Sequence, residues 1–237
     1  MKAVVMAGGK GTRLVPYTKI LPKPLLPIGD MPILEVLIRQ MKHFGVDEIF
    51  LTVGHLSGLL RAFFQDGEQW GVKINYCYED FPMGTVGALA QINDLNETFL
   101  MTNGDVLTTL DYNTLIAYHK RQQAMATIAM HHRKVKIDFG VMQLDEGMNV
   151  TGYIEKPTHE YMVSMGIYVF EPDVVAYVPK RQYLDFPDLI LKLIAAGEKV
   201  VGYPFDGYWQ DLGRPDDYEQ AANDFDIMRN QFLLNED

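Results

Sequence analysis

Glycines and basic side chains are concentrated in one segment near the start of the chain, Gly8–Pro24. Glycines allow the backbone to approach a phosphate closely and to turn several N–H groups towards it. Lys10, Arg13 and Lys23 would add the positive charge that a triphosphate requires. The segment therefore predicts a phosphate-binding loop. If only Gly8–Gly11 were present, a purely structural turn would remain a good alternative.

Two familiar phosphate-binding motifs do not describe this segment. A P-loop has the order GxxxxGK[ST], which is absent here. A dinucleotide-binding turn has a third glycine at a fixed spacing, and none follows Gly9 and Gly11. The loop is therefore expected to hold phosphates outside both of these motifs.

Carboxylates that could hold a metal ion occur at two separate places. Asp105 ends the triplet Asn103-Gly104-Asp105 after an apolar strand, and Asp211 lies in a loop rich in glycine and aromatic residues. Mg²⁺ commonly takes one or two carboxylates together with phosphate oxygens and water. We predict an Mg²⁺ site here, with a simple turn at 103–105 and a packed loop around Asp211 as the alternatives.

A third candidate is the pair Glu155-Lys156, which precedes a proline. The ammonium suits a phosphate and the carboxylate suits sugar hydroxyls, although a solvated charge pair is the plainer interpretation. The neighbours His131 and His132 lack metal-ligand spacing with any Cys or Asp cluster. There is no GxSxG elbow and Cys77 lies in an apolar strand, so nucleophilic catalysis has little support.

The elements that must position these residues alternate between strand and helix in the first half of the chain. Apolar periodicity predicts strands over 2–6, 48–53, 72–78 and 99–102, and helices over 32–44, 56–64, 86–93 and 114–122. This alternation favours an α/β fold with a mainly parallel sheet. Ligands of such sheets bind outside the carboxyl ends of strands, so Gly8–Arg13 and Asn103–Asp105 should face one crevice.

The pattern changes after residue 125. Strands are predicted over 126–131, 138–144, 150–155, 164–170 and 199–203, and helices over 188–196 and 215–233. Closely spaced strands indicate an antiparallel extension. We predict one domain over 1–237, with a nucleotide-binding part over about 1–125, a sugar-phosphate-binding part over about 126–213 and a C-terminal helix over about 214–234.

Composition limits the class of protein. Hydrophobic residues make up 48% and charged residues 22%, as in ordinary globular proteins, and the formal net charge is -10. An acidic chain is a poor partner for nucleic acid. No apolar run approaches the length of a membrane span, the start does not resemble a signal peptide, and Cys77 has no second cysteine for a disulfide. We expect a cytoplasmic protein that binds neither nucleic acid nor membrane.

Several segments together resemble the sugar-phosphate nucleotidylyltransferase family. This group contains the mannose-1-phosphate guanylyltransferases and the glucose-1-phosphate thymidylyl- and uridylyltransferases. The resemblance runs from Lys2 to about Asp224. Its markers, in chain order, are MAGGKGTRLVPYTKILPKPLLPIGDMPIL, MGTVGALAQ, TNGDV, FGV, IEKP, MGIYVF and YWQDLG. The resemblance implies a Rossmann-like, mixed and mainly parallel sheet flanked by helices, with a small antiparallel sugar-binding extension.

The resemblance also implies roles for individual residues. Arg13 would stabilise the departing pyrophosphate, Lys23 the α-phosphate and its attacker, and Asp105 and Asp211 would hold Mg²⁺. The nucleotide would be bound by Ala7, Gly8, Gly9, Gly11, Thr12, Glu79, Gly84, Thr85, Asn103 and Gly104. The sugar phosphate would be bound by Gly140, Glu155, Lys156 and Tyr168.

The implied reaction joins an NTP to a sugar 1-phosphate and releases pyrophosphate. The attacking phosphate oxygen is already anionic near neutral pH, because the second pKa of a phosphate is about 6. No general base is needed, and the obstacle is the repulsion between two polyanions. Mg²⁺, Arg13, Lys23 and backbone N–H groups would offset that repulsion and align the attack.

The base is indicated by Glu79, five residues before Gly84. Relatives that use uridine or thymidine usually have glutamine there, which can both donate and accept. An ionised glutamate only accepts, which suits the donors of guanine or the amine of cytosine. We favour GTP with a mannose- or heptose-type sugar 1-phosphate. Many guanylyltransferases carry a left-handed β-helix after this domain, and the sequence stops too early for one, which weakens the mannose assignment.

Two alternatives remain open. One is a uridylyl-, thymidylyl- or cytidylyltransferase acting on a hexose 1-phosphate. The other is a non-catalytic regulator that senses nucleotide sugars, which the intact set Arg13, Lys23, Asp105 and Asp211 disfavours. The last helix could pack on its own domain or on a second subunit, so a homo-oligomer is possible.

Overall fold

The computed structural model describes residues 1–79 and 81–234, and these form an α/β structure. The strands are β1 (Lys2–Met6), β2 (Pro27–Ile28), β3 (Met31–Pro32), β4 (Glu48–Val53), β5 (Lys73–Tyr78), β6 (Phe99–Asn103), β7 (Val106–Thr108), β8 (Ala126–Lys136), β9 (Val141–Leu144), β10 (Val150–Ile154), β11 (Thr158–Phe170), β12 (Val200–Phe205) and β13 (Trp209–Asp211). The α-helices are α1 (Ile33–His43), α2 (Ser57–Phe64), α3 (Tyr112–Gln122), α4 (Phe186–Ala195) and α5 (Pro215–Phe232).

Seven strands form the main sheet, in the order β12-β8-β11-β6-β1-β4-β5. Strand β11 is antiparallel to both of its neighbours, and the remaining neighbours pair in parallel. The predicted mixed, mainly parallel sheet with flanking helices is therefore confirmed.

The two faces of the sheet are buried under different helices. Ala3 and Val5 of β1 belong to an apolar cluster with Leu37 of α1, whereas Val4 belongs to a cluster with Leu189 of α4. Successive side chains of a strand point to opposite faces. The continuous apolar sequence of β1 is thus explained by burial on both sides, which is typical of parallel sheets with helices on both faces.

A small extension projects beyond the main sheet. Strands β9 and β10 pair only with each other among the described residues, in antiparallel fashion, and the distal halves of β8 and β11 pair with each other beside them. The register of β8 and β11 shifts between Ser164 and Tyr168, where Gly166 has a φ of 74°. A glycine with positive φ is common at a bulge. The predicted antiparallel extension is present, although β8 and β11 also belong to the main sheet.

Apart from element boundaries, one helix and four short strands differ from the sequence prediction. The helix predicted over 86–93 is present only in part, as a 3₁₀ helix over Gly87–Gln91. A Cβ at Gly87 would lie 2.9 Å from the carbonyl oxygen of Gln182, so this stretch is wedged against a neighbouring loop. Strands β2, β3, β7 and β13 were not predicted. Each has two or three residues, which is too short for a periodic signal.

The C-terminal helix α5 packs on the same chain. Phe225 and Phe232 are fully buried in an apolar cluster with Ile28 and Leu212. In the described part of the chain, no helix has both the length and the apolar character needed to cross a membrane.

Candidate active site

The Gly8–Pro24 segment leaves the carboxyl end of β1 and is held in place by its own contacts. The N–H of Ala7 donates to the carbonyl of Thr52 on β4 at 3.0 Å. Gly11 has a φ of 59°, and the Thr18 hydroxyl donates to its carbonyl at 2.8 Å. A Cβ at Gly11 would lie 2.7 Å from the Thr18 methyl group. Glycine is therefore required at position 11 both by conformation and by space.

The second loop, Asn103-Gly104-Asp105, lies beside the first. Met6 and Asn103 are partners in the parallel pairing of β1 and β6. The N–H of Gly104 donates to the carbonyl of Met6 at 2.9 Å, and a Cβ on Gly104 would lie 3.0 Å from that oxygen. The two loops thus meet at one edge of the sheet, as the positions of the strand ends predict.

Lys23 joins two carboxylates that are far apart in sequence. Its ammonium donates a hydrogen bond to Asp105 and lies 3.8 Å from Asp211 Oδ1. The side chain of Lys23 is only 10% exposed, so its charge is largely shielded from solvent. A buried ammonium normally requires such partners.

The short strands β7 and β13 set the spacing of the two carboxylates. Asp211 pairs with Val106, the residue after Asp105, and the N–H of Leu212 donates to the carbonyl of Asp105 at 3.0 Å. Backbone pairing therefore fixes Asp105 and Asp211 side by side, whereas neither sequence segment alone indicates that they meet.

The electrostatics of this pair fit a cation. Burial raises the pKa of Asp211, the negative charge of Asp105 raises it further, and Lys23 and Arg13 partly oppose the shift. Among residues 1–79 and 81–234, the Oδ1 atom of Asp105 is buried without a hydrogen-bond partner. The described residues contain no cluster of three or more acidic, His or Cys side chains at metal-binding spacing. Two carboxylates suit Mg²⁺ that is also held by substrate phosphates, and they do not form an all-protein cage.

Arg13 stands near this pair. It lies in the 3₁₀ turn Thr12–Leu14, and its guanidinium carbon is 3.4 Å from the position a Cβ would take on Gly213. Arg13 is exposed, so its side chain is available to a bound anion.

Glu79 lies against the glycine loop at the end of β5. A Cβ on Gly8 would lie 3.2 Å from Glu79 Oε1, so the carboxylate is next to this glycine. Burial raises the pKa of Glu79, while the N–H of Met83 donates a hydrogen bond to the carboxylate and lowers it. Glu79 therefore lies beside the glycine loop, just after β5, which is the edge strand of the main sheet.

Gly84 and Thr85 are tied to the start of α4. Gly84 has a φ of 75°, and a Cβ there would lie 2.5 Å from the carbonyl of Leu184. The N–H of Thr85 donates to Asp185 Oδ1 at 3.0 Å, and the Thr85 hydroxyl accepts from the N–H of Phe186 at 2.6 Å. Asp185 was not identified from the sequence, since only the fold brings it to a residue 100 positions away.

The residues predicted to bind the sugar phosphate form a separate group on the extension. A Cβ on Gly140 would overlap the Tyr153 hydroxyl, and that hydroxyl donates to Glu155 Oε2 at 2.7 Å. Lys156 Nζ lies 3.6 Å from Glu155 Oε1, and both side chains are exposed. Gly140, Glu155 and Lys156 thus cluster around Tyr153, which the sequence interpretation missed.

Two residues that were predicted to bind substrate have side chains that contact other parts of the structure. Tyr168 is only 5% exposed, stacks on Phe186 with ring centroids 3.8 Å apart, and accepts a hydrogen bond from Ser164 at 3.2 Å. The side chain of Asn103 lies against Gly166 of β11. Tyr168 is therefore packed in the core, and the side chain of Asn103 contacts the bulge of β11.

The side chains that were expected to take no part in catalysis lie in strands β8 and β5. His131 lies in β8 and hydrogen-bonds to the carbonyl of Phe205 at 2.9 Å. His132 also lies in β8 and is exposed. Cys77 lies in β5, and burial raises the pKa of its thiol to about 11. A thiol with a raised pKa is a poor nucleophile at neutral pH.

Comparisons with known proteins identify the family of this chain. The family profile described as "Nucleotidyl transferase" matches residues 2–226. The chain is 34% identical over 93% of its length to a UTP–glucose-1-phosphate uridylyltransferase of Synechocystis, covering 62% of that protein. It is 33% identical over 94% of its length to a mannose-1-phosphate guanylyltransferase of Mycobacterium tuberculosis, covering 64% of that protein. The chain thus spans somewhat less than two thirds of the length of these two relatives.

The fold is shared with solved structures. A Bacillus anthracis protein, described provisionally as a glucose-1-phosphate thymidylyltransferase, superposes with a TM-score of 0.77 at 24% identity. The match covers 98% of each chain. Given the profile match over nearly the whole chain, this protein belongs to the nucleotidyl transferase family.

Proposed function

We propose that this protein transfers a nucleotidyl group from an NTP to a sugar 1-phosphate, giving an NDP-sugar and pyrophosphate. The observation that carries the proposal is the convergence of Lys23, Asp105 and Asp211 beside the glycine loop. The names of the two relatives, both sugar-1-phosphate nucleotidylyltransferases, support it. No side chain in this group is arranged as a nucleophile with its base, and the reaction requires none.

The mechanism that we propose depends on neutralising the negative charge of the reacting phosphates. An anionic oxygen of the sugar 1-phosphate attacks the α-phosphorus, the bond to the bridging oxygen breaks, and pyrophosphate leaves with that oxygen. Lys23 would hold the α-phosphate and the attacking group, and Arg13 would neutralise the departing pyrophosphate. The backbone of Gly8, Gly9 and Gly11 would cradle the phosphates. Ala7, Thr12 and Gly104 would complete the walls of the nucleotide site.

Asp105 and Asp211 would hold Mg²⁺, which supplies a fixed positive charge to the reacting phosphates. The buried, unpartnered Oδ1 of Asp105 supports this assignment, because an isolated carboxylate oxygen in the interior needs a donor or a cation. The pairing of β7 with β13 keeps both carboxylates on the same side of the crevice.

We propose GTP as the nucleotide, on the strength of Glu79. Its carboxylate lies beside Gly8 and receives a hydrogen bond from Met83, so it is fixed within the crevice. A carboxylate accepts the N1–H and N2 donors of guanine, and those donors would offset the burial that raises the pKa of Glu79. Gly84 and Thr85 would form the opposite wall of the base site.

For the sugar, we propose a mannose- or heptose-type 1-phosphate held by Lys156, Glu155 and the backbone at Gly140. A uridylyltransferase is the second candidate, since the Synechocystis relative carries that name. Tyr168 would act indirectly, by packing against Phe186 at the start of α4.

A substrate matrix tests the proposal. The purified chain is incubated with each of four NTPs and a panel of sugar 1-phosphates in the presence of Mg²⁺, and pyrophosphate release is followed. We expect turnover with GTP and a mannose- or heptose-type 1-phosphate. Absence of turnover with every pair would contradict the enzymatic proposal and favour a nucleotide-sugar sensor.

A substitution at Glu79 tests the assignment of the nucleotide base separately. Glu79→Gln should weaken GTP use and improve UTP or dTTP use, because an amide can both donate to and accept from these bases. The matched control is Glu97→Gln, an exposed glutamate. Unchanged base preference in Glu79→Gln would remove Glu79 from the base site without affecting the reaction type.

A further inference from the structure

The cation of Lys23 is placed where a metal ion would also be attracted. Its ammonium hydrogen-bonds to Asp105 Oδ2 and lies 3.8 Å from Asp211 Oδ1. Both carboxylates of the candidate metal site therefore already share one monovalent cation. The ammonium is itself nearly buried, so these carboxylates are its principal compensating charges.

A magnesium ion and the Lys23 ammonium would compete for the negative charge of the same two carboxylates. Mg²⁺ binds oxygen ligands at about 2.1 Å in a near-octahedral shell. A metal ion on the free Oδ1 of Asp105 would lie close to the ammonium on Oδ2, and the two positive charges would repel each other. Metal binding is therefore expected to weaken the contact between the ammonium and these carboxylates.

We propose that Lys23 is a built-in counter-ion that a divalent cation displaces from Asp105 and Asp211, and that this displacement releases the ammonium to the substrate phosphates. The proposal rests on the proposed function, because it takes the carboxylates as metal ligands and the phosphates as those of the substrates. Lys23 then keeps the two carboxylates compensated in the resting protein and becomes available to phosphate only when the metal arrives.

The surrounding structure permits this movement to be confined to one side chain. Lys23 lies between Pro22 and Pro24 at the start of a 3₁₀ turn, and its carbonyl accepts from the N–H of Leu26 at 3.0 Å. Proline fixes the backbone torsion on either side. The backbone at Lys23 is thus restrained, while its flexible stem can carry the ammonium from the carboxylates into the crevice.

If Lys23 competes with the metal, the protein without nucleotide should bind a divalent cation more weakly than a variant that lacks the Lys23 ammonium. The experiment measures Mn²⁺ binding to the full chain without nucleotide, by the electron paramagnetic resonance signal of free Mn²⁺. We expect Lys23→Met to bind Mn²⁺ at least about tenfold more tightly than the unmodified protein. A Lys23→Met affinity equal to or weaker than that of the unmodified protein would overturn the proposal.

The matched control separates displacement from a general effect of charge. Arg13 acts electrostatically on Asp211 and has no ion pair with either carboxylate in the described part of the chain. Arg13→Met removes the same positive charge, and we expect less than about a threefold gain in Mn²⁺ affinity. Equal gains in both variants would overturn the proposal, since proximity of charge alone would then explain them.

A second measurement uses the unmodified protein, so that it does not depend on how the variants fold. The side-chain NMR signals of Lys23, assigned by comparison with Lys23→Arg, are followed while Mg²⁺ is added. We expect them to move with the same saturation as metal binding, while signals of the exposed Lys19 stay in place. Stationary Lys23 signals at saturating Mg²⁺ would overturn the displacement.

Asp105→Asn distinguishes this inference from the function on which it rests. If Asp105→Asn binds Mn²⁺ as well as the unmodified protein, the proposed metal site is misplaced, and the displacement fails together with the assignment of Asp105 as a metal ligand, whereas the substrate matrix still decides the reaction. If Asp105→Asn loses Mn²⁺ binding while Lys23→Met gains none, the metal site stands and only the displacement by metal fails.

Discussion

The bonded charge pair of the crevice is largely shielded from solvent, whereas the charged pair of the extension is exposed. In the crevice, the side chains of Lys23 and Asp105 are 10% and 21% exposed and are bonded to each other. On the extension, those of Lys156 and Glu155 are 55% and 59% exposed, with 3.6 Å between Nζ and Oε1. Solvent weakens charge interactions on the extension and leaves those in the crevice strong.

This contrast indicates that the crevice and the extension have different roles. Groups that stabilise developing charge must be fixed and shielded before the substrate binds, because their effect depends on preorganisation. Groups that recognise a sugar can be exposed, since they act mainly through added contacts. The crevice is expected to control turnover, and the extension to control sugar affinity.

The largest effect should come from Asp105. Asp105→Asn keeps the shape of the side chain and removes the charge that would hold the metal, so we expect turnover to fall roughly 100- to 1000-fold. Steady-state kinetics with circular dichroism as a check on folding provide the measurement. The control is Asp226→Asn, an exposed residue of α5. Turnover close to that of the control would place the metal elsewhere.

A smaller effect is expected on the extension. Lys156→Ala should raise the KM for the sugar 1-phosphate roughly tenfold and leave turnover within a few-fold, because an exposed contact to phosphate contributes about 1–2 kcal/mol. Lys136→Ala is the control, since Lys136 is also an exposed lysine of the extension with a carboxylate partner, at 3.3 Å. If Lys156→Ala lowered turnover more than it raised the KM, the separate roles of the crevice and the extension would be contradicted.

The last effect concerns stability and not turnover, and it tests how rigid the glycine loop is. Gly11→Ala places a Cβ at a positive φ and 2.7 Å from the Thr18 methyl group, so we expect the free energy of unfolding to fall by about 1–3 kcal/mol. A Cβ on Gly9 meets nothing within 4 Å, and Gly9→Ala should change stability by less than about 0.5 kcal/mol. Urea denaturation measures both. Equal stabilities would mean that the loop adapts freely.

Local patterns were sufficient for most of the fold. The apolar run of β1 and the helical spacing of α1 follow from burial of their side chains, and both elements lie where periodicity predicts them. The helix predicted over 86–93 is shortened to a 3₁₀ helix over Gly87–Gln91, where Gly87 packs closely against the carbonyl of Gln182. Very short strands such as β7 and β13 carry no periodic signal of their own.

For this protein, the sequence by itself determined the mainly parallel α/β class, the glycine loop after β1 and the residue types available for phosphate and metal. These depend on local backbone preference and on the period of apolar side chains, which neighbouring residues set. Only the tertiary structure decided that Lys23 bridges Asp105 and Asp211, that Asp185 holds Thr85, and that Tyr153 lies between Gly140 and Glu155. Such contacts join distant segments through strand register and burial, which no local pattern encodes.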